Sequence, residues 1–156
     1  MNQLIINGNF DNQVLAPWIS NAQEEPVFEP YKPGGYSLTI ESNTEIQQKL
    51  DTAHIESPCR LEWTFSARLS AKAHMGGAMF MLFSARVGQE FYLDTGYVSE
   101  LTDEWQTFNL EGATAFPVVH EGLYAQFINA RKVDENGPVS APVQITGISV
   151  RAVAQP

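Results

Sequence analysis

Almost no stretch of this 156-residue chain repeats its apolar residues at helical spacing; short alternating or continuous apolar runs recur instead between clusters of Gly, Pro, Asn and Asp. Strands alternate faces with a period of two, so the pattern predicts an all-β sandwich or barrel with no helix longer than a turn or two. The clearest run is 59–69. Cys59, Leu61, Trp63, Phe65, Ala67 and Leu69 share one parity and Arg60, Glu62, Thr64, Ser66 and Arg68 the other, which predicts one core face and one wet face. On the same criteria strands are expected at 4–6, 27–31, 36–42, 45–50, 59–69, 78–86, 90–98, 105–110, 123–131 and 143–153, the first or second of them irregular. Turns are expected at Pro33-Gly34-Gly35, Met75-Gly76-Gly77 and Asn136-Gly137-Pro138. The run Met79 to Phe83 is apolar at every position, which predicts a central strand capped by a loop or, failing that, the floor of a ligand groove or subunit contact.

The last run carries its own irregularity. Ile145, Ile148 and Val150 stand at i, i+3 and i+5, so all three reach the core only if the strand gains one extra residue, and Gly147 is placed for such a bulge. Two face-to-face sheets would then bury Leu61, Trp63, Phe65, Phe108, Phe127 and Ile145 in one core layer.

Length, charge and cysteine content narrow the function. A chain of this length without an internal repeat or linker is expected to be one domain, 1–156. The net charge of −9 repels phosphate backbones and anionic lipid surfaces, which disfavours nucleic acid and leaves neutral ligands open. A single cysteine, Cys59, cannot form an internal bridge and reads as an inert core thiol, leaving the compartment unassigned. The opening Met-Asn-Gln-Leu-Ile-Ile-Asn-Gly has no basic leader region, and no apolar run is long enough to span a bilayer; the chain as it stands is expected to be soluble, with no sorting signal.

Catalytic patterns are sparse. His54, His74 and His120 lack metal-ligand spacing and read as lone surface histidines, and no nucleophile elbow or phosphate loop occurs. Glu62 and Asp94 could share an exposed face, as glycoside hydrolysis needs, but solvated strand positions or contacts to ligand hydroxyls are the expected role of such residues, so no enzyme is expected. Saccharide binding is better supplied, because sugars present flat C–H faces ringed by hydroxyls and need an aromatic platform beside fixed polar groups. Strand parity nominates Tyr92 and Tyr124 as stacking faces, Arg60 and Gln126 as donors, and Glu62 and Asp94 as acceptors, with Thr64, Tyr31 and Tyr97 nearby. Parity and motif position assign Trp18, Trp63 and Trp105 to the core.

Several segments, taken in order, resemble the carbohydrate-binding modules with a galactose-binding-like jelly-roll fold, the group that includes xylan- and glucan-binding modules. They are Asn7-Gly8-Asn9-Phe10-Asp11 followed by Trp18, Tyr36 to Ile40, Ile46 to Leu50, Leu61 to Ser70, Glu104 to Phe108, and Val143 to Val150. The resemblance implies a β-sandwich jelly roll and non-catalytic carbohydrate binding. It also implies a structural calcium between the opening segment and the last strand. Here Asn9 and Asp11 stand at the opening positions, while Thr146-Gly147 replace paired acids in the last strand, so a calcium site is expected to be depleted. The alternative is a structural or adhesive subunit of a larger assembly, phage-tail-like or toxin-like, that uses the same sandwich as an oligomer without binding glycans.

Overall fold

Among the described residues twelve strands follow one another as β1 (Ile19–Ser20), β2 (Phe28–Pro30), β3 (Tyr36–Ile40), β4 (Glu45–Lys49), β5 (Cys59–Leu69), β6 (Met81–Val87), β7 (Phe91–Val98), β8 (Gln106–Glu111), β9 (Leu123–Asn129), β10 (Lys132–Asp134), β11 (Gly137–Val139) and β12 (Val143–Ala154). The computed structural model describes residues 3–41, 44–51, 59–70, 81–87, 91–98, 101–111, 123–129, 132–134, 137–139 and 142–154, of which 59, 81–87, 91–98, 123, 132–134, 137–139 and 154 are described by their backbone alone. One sheet, sheet I, has the order β1-β4-β9-β6-β7; the other, sheet II, has the order β2-β3-β12-β5-β8, and β10 pairs with β11 as a separate hairpin. All pairings are antiparallel. Neighbours within each five-stranded sheet are mostly distant in sequence, so the sandwich is held by non-local pairing, as in a jelly roll.

The expected core layer forms. Leu61, Trp63 and Phe65 of β5 and Ile145 of β12 face Phe127 of β9 across the sandwich, all buried, with Phe108 half-buried against them. Phe127 is the hub, its ring edge-on to Phe65 at 5.2 Å, Trp63 at 5.9 Å and Trp18 at 6.2 Å. Burial of each such side chain contributes roughly 1.5–3 kcal/mol, so this cluster is where the two sheets are locked.

The bulge in the last strand is also present. Between the pairs Thr146↔Ser66 and Ser149↔Thr64, β12 advances three residues while β5 advances two. Gly147 takes the extra position at φ 63°, a left-handed conformation costly to residues with a Cβ, and Ile145, Ile148 and Val150 are all buried.

The first expected strand is irregular, as anticipated: beside it stands the isolated bridge Gln3↔Arg151, Leu4 N–H bonds to the Val150 carbonyl, and residues 4–6 form no strand. β1, β10 and β11 were not expected as strands, because two or three residues are too short to show a period. The Met75-Gly76-Gly77 turn, residues 78–80, His54, His74 and His120 lie outside the described residues.

Buried amides tie the sheets together. Gln48 of β4 points inward and holds the Ile6 backbone at both ends, accepting from its N–H and donating to its carbonyl at 2.8 Å each. Asn129, at the end of β9, donates to the Ile40 carbonyl of β3 at 2.9 Å. Such inward polar side chains are tolerated because backbone groups satisfy them.

Candidate functional site

The sheet order separates the residues that parity had nominated for one binding face. Arg60 and Glu62 belong to β5 in sheet II, whereas Tyr92, Asp94, Tyr124 and Gln126 belong to β7 and β9 in sheet I. The nominated set therefore occupies two different sheets. Within sheet I a second irregularity intervenes: β6 pairs Ala85 with Asp94 but Arg86 with Tyr92, so Leu93 is the extra residue of a bulge. Tyr92 then shares a register row with Arg86, Tyr124 and Lys49, while Asp94 falls in the row of Ala85, Ala125 and Gln48. Glu62 and Asp94 cannot form the carboxylate pair considered from parity, because they lie on different sheets. Gln126 is buried, its side-chain amide donating to the Glu45 carboxylate, and Tyr124 is half-buried opposite Lys49.

The outer face of sheet II carries a more developed constellation, and its centre is Trp105. Trp105 continues the parity of Thr107 and Asn109, both exposed, so its indole lies on the outer face and not in the core as expected. The Arg68 guanidinium stacks over the indole, 4.8 Å from its centroid, a cation–π arrangement. The ring of Tyr31, just beyond β2, meets Trp105 edge-on at 4.9 Å and 67°. β2 and β8 are opposite edges of the sheet, so the segment after β2 reaches over the face to make this contact. Gly34 N–H bonds back to the Tyr31 carbonyl at 2.9 Å, and Tyr31 N–H to that of Gly35 at 3.1 Å, which fixes the turn that presents the ring. The expected turn at Pro33-Gly34-Gly35 is thus a working part of this face. Trp18 and Trp63, by contrast, are buried as parity required.

A chain of polar groups continues from the aromatics. Arg68 donates through Nε to the Gln144 side-chain oxygen at 2.6 Å, and Gln144 donates in turn to the Glu29 carboxylate at 2.6 Å. Each anchors the next, so the guanidinium is held in one orientation over the indole. Successive rows along β5 present Ser66 with Thr107 at 2.9 Å, Thr64 with Asn109 at 3.1 Å, and Arg60 with Glu111 at 3.7 Å, Glu62 lying across from Glu111. From Arg68 to Glu62 is six residues, or about 20 Å of strand. The face thus combines an aromatic end with a polar strip of hydroxyl, amide and carboxylate groups. Arg60, Glu62 and Thr64, nominated from parity, lie on this strip. The signal for Trp105 was the same alternation, read one residue before the strand.

The opening motif is held as a scaffold by its own hydrogen bonds. Asn7, at φ 58°, donates from its amide to the carbonyls of Val14 at 2.7 Å and Ala16 at 3.0 Å, and accepts from Asp11 N–H at 2.9 Å. Its own carbonyl accepts from the Trp18 indole N–H at 3.0 Å. The Asn9 carbonyl accepts from Tyr36 N–H at 2.9 Å, and Thr146 donates its hydroxyl to the Tyr36 carbonyl at 2.7 Å. The carbonyls of Asn7, Asn9 and Tyr36 thus each accept a hydrogen bond within this scaffold. Asp11 is exposed, and among the described residues no three His, Cys, Asp or Glu side chains converge. This donor set does not fit a calcium ion, which needs several oxygen ligands with enough carboxylate to offset its dehydration.

The sequence matches no protein-family model and no curated protein. Solved structures with the same fold are nevertheless numerous. A family 16 carbohydrate-binding module superimposes with a TM-score of 0.62 at 11% identity, over 94% of this chain and 98% of that one. A cyclase from Fischerella sp. TAU, in complex with 4-(1H-indol-3-yl)butan-2-one, gives 0.69 at 11% identity over 100% of both chains. An arabinose-bound α-L-arabinofuranosidase gives 0.65 at 13% identity over 97% of this chain; the chain spans about a quarter of that enzyme, 26% of its length. The fold is the β-sandwich jelly roll of carbohydrate-binding modules. It carries both binding modules and enzymes, so function rests on the site.

Proposed function

We propose that this protein binds saccharide without transforming it, through the outer face of sheet II. The observation that carries the reading is the Tyr31–Trp105 aromatic pair, fixed beside the Arg68–Gln144–Glu29 hydrogen-bond chain on the outer side of sheet II. The aromatics offer C–H/π surface to a sugar ring, and the strip from Arg68 to Glu62 offers donors and acceptors to hydroxyls of neighbouring units. Groups already held by one another lose little freedom on binding, which favours affinity on a shallow surface. The fold shared with a family 16 carbohydrate-binding module supports the same reading. Hydrolysis would need two carboxylates flanking a bond, with water between or a nucleophile in contact. Glu62 and Glu111 instead stand side by side on one face, Glu111 paired with Arg60.

A glycan array followed by calorimetry on the best oligosaccharide tests the reading. Trp105→Ala is expected to weaken binding by about tenfold or more, the loss typical of truncating an aromatic anchor, with the far-UV spectrum unchanged. Undiminished affinity in Trp105→Ala, with loss in Tyr124→Ala, would move the site to sheet I. Silence across the array, with a defined oligomer in solution, would favour a structural subunit.

A further inference from the structure

A cleft lies at the edge of the sandwich where the chain twice crosses between its sheets. Residues 21–27 carry the chain from β1 in sheet I to β2 in sheet II, and residues after β3 carry it back to β4. Between these crossings the cleft has a volume of about 170 Å³. Its floor is apolar: Leu15 and the inward side chains Leu38 and Ile40 from one sheet and Ile46 from the other. Val27 forms part of the wall and remains 53% exposed, an apolar surface left uncovered beside an apolar floor. The rim is acidic, with Glu24, Glu25 and Glu41 all exposed, and among the described residues no Lys, Arg or aromatic side chain lines the cleft.

We infer that this cleft binds a small organic ammonium whose apolar body enters the sandwich and whose cation stays at the carboxylate rim. Size, polarity and charge agree on that class. An apolar cavity of about 150 Å³ accepts a benzene-sized body, so this one takes a single ring or a short branched chain. Without an aromatic platform the floor cannot stack a sugar, which separates the cleft from the face of sheet II. Three rim carboxylates, on a chain of net charge −9, attract a cation and repel an anion of the same shape.

Titrating the full chain with phenethylamine, 2-phenylethanol and phenylacetate, by calorimetry or ligand-observed NMR, tests this. Phenethylamine is expected to bind, the alcohol more weakly and the acid not at all. Glu24→Gln, Glu25→Gln and Glu41→Gln should each weaken the amine by about two- to fivefold, in the range of exposed charge pairs, and raising NaCl should weaken it further. Ala22→Trp, at an exposed lining position, should block the cleft without disturbing the core. Trp105→Ala should leave amine binding intact, so the two sites stand or fall separately. Equal binding of amine and alcohol, or amine binding that survives Ala22→Trp, would overturn the proposal, as would no binding of the amine at all.

Discussion

Replacing Gly8 by alanine tests whether the opening segment is seated on the last strand as described. A methyl group built on Gly8 overlaps the Ile148 carbonyl oxygen and lies 2.9 Å from its carbonyl carbon and 3.2 Å from its nitrogen. Both partners are backbone, so no side-chain rotation relieves the clash; the segment must lift from β12. Lifting it strains or breaks the bond from Ile148 N–H to the Gly8 carbonyl at 3.1 Å and, one residue on, that from Tyr36 N–H to the Asn9 carbonyl at 2.9 Å. Two hydrogen bonds at about 1 kcal/mol each, with overpacking of about 1–3 kcal/mol, give a loss of roughly 3–5 kcal/mol. That is a large part of a typical domain's stability and corresponds to a fall in Tm of roughly 6–20 °C for a chain of this size. Gly147→Ala is the internal comparison: its φ of 63° is unfavourable to alanine, but the nearest atom to the new methyl is the Ser66 hydroxyl at 4.0 Å. Only the backbone cost of about 1–2 kcal/mol applies there. Urea and thermal melts of both variants decide it. A loss below about 1 kcal/mol in Gly8→Ala, or a larger loss in Gly147→Ala, would refute the close approach of the two backbones.

Other expectations follow from the same contacts. Gln48→Leu removes the side chain that bonds both the N–H and the carbonyl of Ile6 and should cost about 1–3 kcal/mol in urea melts, with little change in shape at a similar side-chain volume. Asn7→Ala loses three hydrogen bonds and places alanine at φ 58°, whereas Asn7→Gly loses the bonds alone. Alanine should therefore be the less stable variant, and the Trp18 near-UV signal should report the loosened loop in both. Phe127→Ala should cost about 3–5 kcal/mol, because the ring meets aromatic partners from both directions. Chelator is expected to leave Tm unchanged, and millimolar calcium to raise it by less than about 1 °C, since a ligand that does not bind the native state cannot stabilise it; a clear upward shift would restore the metal site to the opening motif.

What was legible in the sequence was whatever depends on a residue and its near neighbours. The alternation along β5 assigned Leu61, Trp63 and Phe65 to the core, and the offset of Ile145, Ile148 and Val150 required the bulge that Gly147 supplies. Local geometry fixes both, since a strand has only two faces and an extra residue must go somewhere. Which sheet a strand joins is decided elsewhere, by pairings between segments far apart in the chain. Arg60 and Tyr124 share a parity yet belong to different sheets, and the bulge at Leu93 separates Tyr92 from Asp94 although both stand at even positions. Trp105 faces outward by the alternation it shares with Thr107 and Asn109, but it meets an aromatic partner only because Tyr31 arrives from the opposite edge of the sheet. The sequence by itself thus determined the material of the protein, an acidic β-sandwich with sugar-compatible side chains. Tertiary structure decided which of those side chains meet, because contacts between sheet edges and crossing segments arise only when the whole sandwich closes.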